Sequence, residues 1–194
     1  MPSMTPDLVV TLVEAHLLAV LGGDSGRASV SFVGADRIDV LRFGPDADGL
    51  VRYATLGMSR APMTDPAEPL TADDGPRAEL VLTLRGAQDS VLRRLAILAA
   101  TPAVEGLVVT PGARIDLGEP LWDGAAATAV LVGQPGGPVP SLDDPPVDLL
   151  PVHPMTRNEA AFARVHGGAA LEERWLAQGV DPRDPIRPEV DLTA

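Results

Sequence analysis

Three histidines, His16, His153 and His166, are the side chains of this sequence best suited to moving a proton near neutral pH. They stand far apart, with no Glu-x-x-His spacing and no second ligand at helical spacing, so they do not read as a metal site. His16 lies on the apolar stripe of an expected helix, where one hydrogen bond would satisfy it. His166 is expected at a helix C-terminus, a place where histidine caps carbonyls. A hydrolase using His153 or His166 with a carboxylate is the enzymatic alternative, but no nucleophile–base–orienter set accompanies either ring. Gly23-Asp24-Ser25-Gly26 imitates the nucleophile loop of trypsin-like proteases. The only upstream histidine is in the first helix, so the tetrad reads as a polar turn. Asp46 and Asp48 imitate the opening of a calcium loop. The next ligand position holds Leu50 and the bidentate Glu position holds Gly57, so a hairpin turn ending in Asp48-Gly49 is expected instead. Asp143 and Asp144 are adjacent and point apart, which disfavours paired acid–base work. The glycines of 133–146 lack the strand–glycine–helix order of a nucleotide loop.

Composition narrows the chemistry further. All 15 basic residues are Arg, so there is no lysine for a phosphate loop, a Schiff base or nucleophilic attack. There is no Cys, which removes disulfides, thiolate metal sites and cysteine nucleophiles. The net charge is −12 and the pI near 4.5, an unfavourable balance for nucleic acid or an anionic membrane surface. It suits solubility, or a basic partner. Hydrophobic residues make up 45% and aromatics only 3%, so a globular core built from Leu, Val, Ala and Ile is expected. The apolar run 8–21 is broken by Glu14 and His16 and is too short to span a bilayer. With no basic n-region at the start, a cytoplasmic protein is expected.

The elements that must position these residues are legible in part. Thr5-Pro6-Asp7 predicts a helix start, with Val9, Leu12, Val13, His16, Leu17 and Val20 on one stripe and Gly22-Gly23 as its end. Strands are predicted at 29–33, 38–43 and 50–56. Residues 60–77, with Pro62, Pro66, Pro69 and Pro76, read as a long surface loop. Residues 77–84 alternate as a half-buried strand, with Leu80, Leu82 and Leu84 on one face and Glu79, Val81 and Thr83 on the other. Burial of Leu80 and Leu82 is expected, with Glu79 paired to Arg77 or another arginine. A helix capped by Asp89 or Ser90 should end before Thr101-Pro102. Short strands follow at 115–117 and 128–132, then a loop at 133–146 and an apolar strand at 147–152. Thr156-Arg157-Asn158-Glu159 predicts a capping box and a helix to about His166. A last helix, 169–178, closes at Gly179. The order is non-alternating, so one α+β domain is expected over 1–194, with a central, mostly antiparallel or mixed sheet flanked by helices. Residues 1–4 and about 182–194 read as extended tails.

Taken in order, several motifs together resemble the suppressor-of-fused-like domain family in its bacterial single-domain form. They are Arg37-Ile38-Asp39-Val40-Leu41, Tyr53-Ala54-Thr55-Leu56-Gly57-Met58-Ser59 with Pro62-Met63, and Arg77-Ala78-Glu79-Leu80. Leu149-Leu150-Pro151-Val152-His153-Pro154-Met155 follows, then the block from Glu159 through Gly167-Gly168, Leu171, Gly179-Val180-Asp181 and Arg187-Pro188. The resemblance covers nearly the whole chain. It implies a domain built on a largely antiparallel sheet, protein binding rather than catalysis, and no cofactor. Animal members hold transcription factors by capturing a peptide, and bacterial members encoded near toxin genes look like immunity proteins. By resemblance the candidate protein-binding residues are Tyr53, Gly57, Met58, Ser59, Arg60 and Met63, with Tyr53 as anchor of an added strand or as a core residue. The implied partner is a protein or peptide, a basic toxin domain among the candidates. Arg60 stands where the family commonly has Asp, the 108–117 segment lacks the family's tryptophan and histidine pattern, and the second domain of the animal proteins has no counterpart. Two-domain clamping of a peptide is therefore not expected.

Overall fold

The structure, a computed structural model, describes residues 5–65, 67 and 75–193; the expectations for residues 1–4, Pro66 and Pro69 lie outside these. In chain order the elements are α1 (Pro6–Leu21), β1 (Gly26–Phe32), β2 (Ala35–Phe43), β3 (Leu50–Leu56), a 3-10 turn (Met58–Arg60), β4 (Ala78–Arg85), α2 (Val91–Glu105), β5 (Arg114–Asp116), β6 (Ala127–Val132), β7 (Leu142–Asp143), β8 (Pro146–Thr156), α3 (Arg157–His166) and α4 (Gly168–Ala177). The strands form one mixed sheet in the order β1-β2-β3-β4-β8-β6-β5, with β7 paired to β8. Only β4 and β8 run parallel; the other neighbours are antiparallel. The domain is α+β, as the element order predicts.

Period-2 alternation splits the core between the two faces. Val40, Val51, Tyr53, Leu80, Leu82, Leu84, Val130, Val132, Leu150 and Val152 point to the face covered by α2. Leu41, Phe43, Ala54, Leu56, Val81, Val147 and Leu149 point the other way, against Val9, Val13 and Leu17 of α1. At the far end of that second face, Ala129, Leu131 and Met155 pack against Ala163, Leu171 and Trp175 of α3 and α4. Leu80, Leu82 and Leu84 are each buried, and each contributes about 1.5–3 kcal/mol through apolar burial.

Several boundaries differ from the sequence reading. β1 starts three residues earlier than expected, at Gly26, paired along β2. α2 does not stop before Thr101-Pro102; it runs on to Glu105 with Pro102 inside it. Leu98, Ala99, Ala100 and Pro102 are all buried, so continuing the packed face outweighs the hydrogen bond a proline lacks. Neither Asp89 nor Ser90 caps α2 with its side chain. Asp89 accepts from Tyr53 and Arg42, and the Ser90 hydroxyl accepts from the Asp123 N–H. The 133–146 loop carries the short β7, and β8 is longer than the apolar run, extending to Thr156. The Asp46–Gly49 turn forms as expected, Asp46 accepting from the Asp48 and Leu50 N–H groups. The capping box at Thr156 and Glu159 is present in both directions. The segment after Gly179 has no helix or strand, yet Val190 is buried and Arg187 is nearly so, so it is bound to the body.

Candidate protein-binding site

The β3–β4 ladder ends at the Ala54–Val81 pair. Beyond it the Thr55 hydroxyl takes over, accepting from the Leu80 N–H at 2.8 Å and donating to Glu79 at 2.6 Å. The Glu79 carboxylate is wholly buried. It also accepts from the N–H groups of Gly57 (2.7 Å), Met58 (3.3 Å) and Ser59 (3.0 Å) and from the Ser59 hydroxyl (2.6 Å). These are the otherwise unpaired N–H groups at the start of the 3-10 turn, whose partial positive charge suits a carboxylate. At the other end of the turn, Arg77 Nη1 donates to the carbonyls of Ser59 and Arg60, both at 2.7 Å. Arg77-Ala78-Glu79 therefore grips the turn at both ends, the cation on the carbonyls and the anion on the amides. The expected pairing of Glu79 with an arginine is corrected: among the described residues its hydrogen bonds come from amides and hydroxyls, and Arg77 serves the same turn from its opposite end. Gly57 has φ +127°, and a Cβ there would meet the Arg37 carbonyl oxygen at 2.8 Å, so glycine is required at this corner.

Tyr53 is fully buried, its ring in the core under α2. Its hydroxyl accepts from the Gln88 N–H (2.7 Å) and donates to Asp89 (2.9 Å). Burial pushes its pKa up. Gly57, Ser59, Met58 and Met63 are buried as well, and Arg60 is partly exposed. What these residues offer outward is a pocket of about 260 Å³ beside the turn, lined by Gly57, Met58, Arg60 and Met63 together with Asp36 and with Ala99 and Ala103 of α2. Its volume lies below the roughly 300–1,000 Å³ typical of small-molecule sites and suits one inserted side chain. Arg60 pairs with Asp7 of α1 and stands 4.0 Å from Asp36, leaving its Nε without a hydrogen-bond partner among the described residues. Tyr53 and Ser59 lie beneath this surface rather than on it. Asp36, Ala99 and Ala103 were not singled out by sequence; they reach the pocket through tertiary packing, for which the local pattern carries no signal.

The histidines do not converge. His16 Nε2 meets the Pro140 carbonyl at 2.7 Å, the single hydrogen bond expected of it. His166 stacks on Phe162, with ring centroids 4.4 Å apart. His153 lies edge-on to Trp175 at 6.3 Å, and among the described residues no hydrogen bond joins it to a carboxylate or hydroxyl. Burial, with Arg183 nearby, pushes its pKa down. It lines a cleft of about 740 Å³ on the α1 face with Arg52, Thr83, Asp181 and Arg183. The arginines there are already engaged, Arg52 by Asp46 at 2.7 Å and Arg183 by Asp181 at 2.9 Å. Among the described residues no group of three or more carboxylate or histidine side chains is arranged to hold a metal ion, and no helix is long and apolar enough to cross a membrane.

A second buried carboxylate, Glu159, completes the capping box of α3 and accepts two hydrogen bonds from Arg187, at 2.7 and 2.6 Å, and one from Trp175 Nε1 at 3.1 Å. Burial alone would raise its pKa; Arg187 and the Thr156 N–H outweigh that and hold it low. Arg187 also lies over the Trp175 ring, 5.5 Å from its centroid.

The sequence and the fold are similar to those of known proteins. The family profile described as "Suppressor of fused protein (SUFU)" matches residues 34–188, which spans Tyr53–Met63, Arg77–Glu79, Glu159 and Arg187. A crystal structure of a SUFU homologue from Neisseria gonorrhoeae FA 1090 is similar over 95% of this chain and 97% of its own, with 17% identity and a TM-score of 0.72. A chain of a Sufu–Fu complex is similar over 98% of this chain and 93% of its own, with 14% identity and a TM-score of 0.62. Drosophila Suppressor of Fused is similar over 92% of this chain but 50% of its own, with 16% identity and a TM-score of 0.60. No curated protein matches the sequence. The family is one of protein-interaction proteins. With its profile match across most of the chain and this fold beneath it, the chain belongs to the suppressor of fused family.

Proposed function

We propose that this protein is a non-catalytic protein-binding module acting in the cytoplasm. Its contact surface is the pocket between the 58–60 turn and α2, with Tyr53 and Ser59 as buried supports. One observation carries the reading: Gly57, Met58, Arg60 and Met63, distant from α2 in sequence, line one concavity with it, and the turn is fixed by Glu79 before any partner arrives. A preformed pocket spares the partner the cost of ordering it. Arg60 sets a guanidinium beside the pocket, paired with Asp7 and facing Asp36. The finer reading is an immunity protein that neutralises a toxin with a basic face, supported by the net charge of −12, which speeds encounter with a cation-rich surface.

The test is to produce the polypeptides encoded beside this gene, measure binding to each by calorimetry, and repeat with two variants. Ala103→Trp fills the pocket from an exposed position and Arg60→Glu reverses its rim charge. The expected result is a binding partner whose affinity falls at least about tenfold in both variants while their melting temperatures hold. A partner bound equally by wild type and both variants overturns the placement of the surface. For the toxin reading, the partner's lethality on expression must be relieved by the wild-type protein and not by Ala103→Trp.

A further inference from the structure

The sheet face opposite α2 is covered twice, and the two covers do not meet. α1 packs on Leu41, Phe43, Ala54, Val81 and Leu149, while α3 and α4 pack on Ala129, Leu131 and Met155. One row of the sheet crosses the gap. The register sets Phe43 opposite Arg52, Arg52 opposite Thr83 and His153 opposite Leu131. Between β4 and β8, Val81 stands opposite Pro151 and Leu82 opposite Val152, so Thr83 and His153 fall side by side. The row therefore runs Phe43, Arg52, Thr83, His153, Leu131: apolar under each cover and polar between them. Adjacent strands lie about 4.8 Å apart, so the three polar side chains share one small area of the sheet.

These three side chains line the cleft of about 740 Å³, a volume within the range of small-molecule sites. Val81, Pro151 and Val180 give it apolar walls. The C-terminal segment closes one side, held there by the Arg85 N–H, which donates to the Arg183 carbonyl at 2.8 Å. All three polar side chains are half-buried, and all keep hydrogen-bonding capacity that the protein leaves unused. Among the described residues, neither the Thr83 hydroxyl nor a ring nitrogen of His153 has a hydrogen-bond partner. Arg52 gives Nη1 to Asp46 and makes no other hydrogen bond there, although its side chain is only 16% exposed. A guanidinium carries five N–H donors, so several remain for a ligand. The charges around the cleft cancel: Asp46 balances Arg52, and Asp181 with Asp48 balances Arg85 and Arg183.

We propose that Arg52, Thr83 and His153 form a binding site for a small organic acid with one carboxylate and an apolar body. The carboxylate accepts from the guanidinium, the hydroxyl and the imidazole N–H, and the body lies against Val81, Pro151 and Val180. Two carboxylate oxygens offer about four lone-pair sites, enough for all three donors, and the bond from a guanidinium is charge-assisted. A phosphate dianion fits less well, because the balanced lining holds no excess positive charge to match it. The site lies on the sheet face opposite the pocket beside the turn, so the two are tested independently.

The test is an NMR titration of the full chain with phenylacetate, phenylacetamide and phenyl phosphate. Phenylacetate should shift the Thr83 and His153 signals saturably, and the amide should bind at least about tenfold less tightly. A second readout reports direct contact. In the free protein, burial and Arg183 push the His153 pKa down and Asp181 pushes it up; Arg52 shares the cleft, and α4 presents only Trp175 to the ring. A bound carboxylate favours the imidazolium, so the His153 ring protons should titrate at higher pH when phenylacetate is present. Thr83→Val keeps the shape of the side chain and should weaken phenylacetate about fivefold. Arg52→Gln should weaken it at least about tenfold. Because that change also strips Asp46 of its partner and can lower stability, Thr83→Val at an unchanged melting temperature separates loss of the site from loss of the fold. No saturable shift with phenylacetate, equal affinity for the amide, tighter binding of phenyl phosphate, an unmoved His153 titration, or unchanged affinity in folded Thr83→Val overturns the proposal.

Discussion

Glu79 and Glu159 are both wholly shielded from solvent, yet Glu79 is enclosed by the amides and hydroxyls of one turn while Glu159 meets a guanidinium from the far end of the chain. The first arrangement is local: donors at 55–59 and an acceptor on the adjoining strand fix the shape of one corner. The second is long-range: Arg187 closes the C-terminal segment onto α3 and α4 across 28 residues. Both satisfy a buried carboxylate. Neutral donors spend the charge on geometry, and the 55–59 corner does just this, holding the turn that forms one wall of the pocket. A cation spends it on closure, and the result is sensitive to pH.

The largest expected effect comes from emptying the first cage. Glu79→Ala leaves the Gly57, Met58 and Ser59 amides without their acceptor and should lower unfolding free energy by about 4 kcal/mol, read from urea titration. A loss below about 1 kcal/mol would mean the turn holds itself and the cage is incidental.

Next comes the long-range pair. Arg187→Ala strands a buried carboxylate and should cost about 3 kcal/mol, whereas Glu159→Leu combined with Arg187→Met should cost much less than the sum of the two single changes. Additive losses in that cycle would remove the contrast drawn here. The pH arm follows from the depressed pKa of Glu159. Its stabilisation is complete above the unfolded carboxyl value, roughly pH 4.3, and is lost as pH falls through the lower folded value. The gap between wild type and Arg187→Ala should therefore narrow on acidification.

The smallest effect belongs to Asp181, which is partly exposed and held at about 2 by the hydrogen bond from Arg183, with Arg85 assisting. Solvent screening limits its worth, so Asp181→Asn should cost less than about 1 kcal/mol at neutral pH. That difference should shrink as pH falls from about 4 toward 2, since the wild-type carboxylate is progressively protonated over that range. A loss as large as that of Arg187→Ala would place the main anchor of the C-terminal segment at Asp181.

How much of this was legible in the sequence depends on the range of the interaction. β3 is 50–56 in both readings, because alternation and an Asp-Gly turn bound it within a few residues. The α3 start is marked by Thr156 and Glu159, three residues apart. α2 was cut short at Pro102, since the packing that carries the helix through a proline comes from the sheet beneath it. Asp89 looked like a cap because capping residues are recognised by position alone; its role toward Tyr53, 36 residues away, has no local mark. For the site, the resemblance pointed to the 53–63 stretch, while the pocket beside it also needs α2 and Asp36.

Amide hydrogen exchange at Gly57, Met58 and Ser59, in wild type and in Glu79→Gln, tests most directly whether Glu79 presets the 57–59 corner. In the wild type these three amides should be protected nearly as strongly as those of the central strands. In Glu79→Gln they should exchange at least about tenfold faster while β3 and β4 stay protected. Rapid exchange of all three amides in the wild type, at the rate of an open loop, would contradict a preformed turn and the pocket built on it.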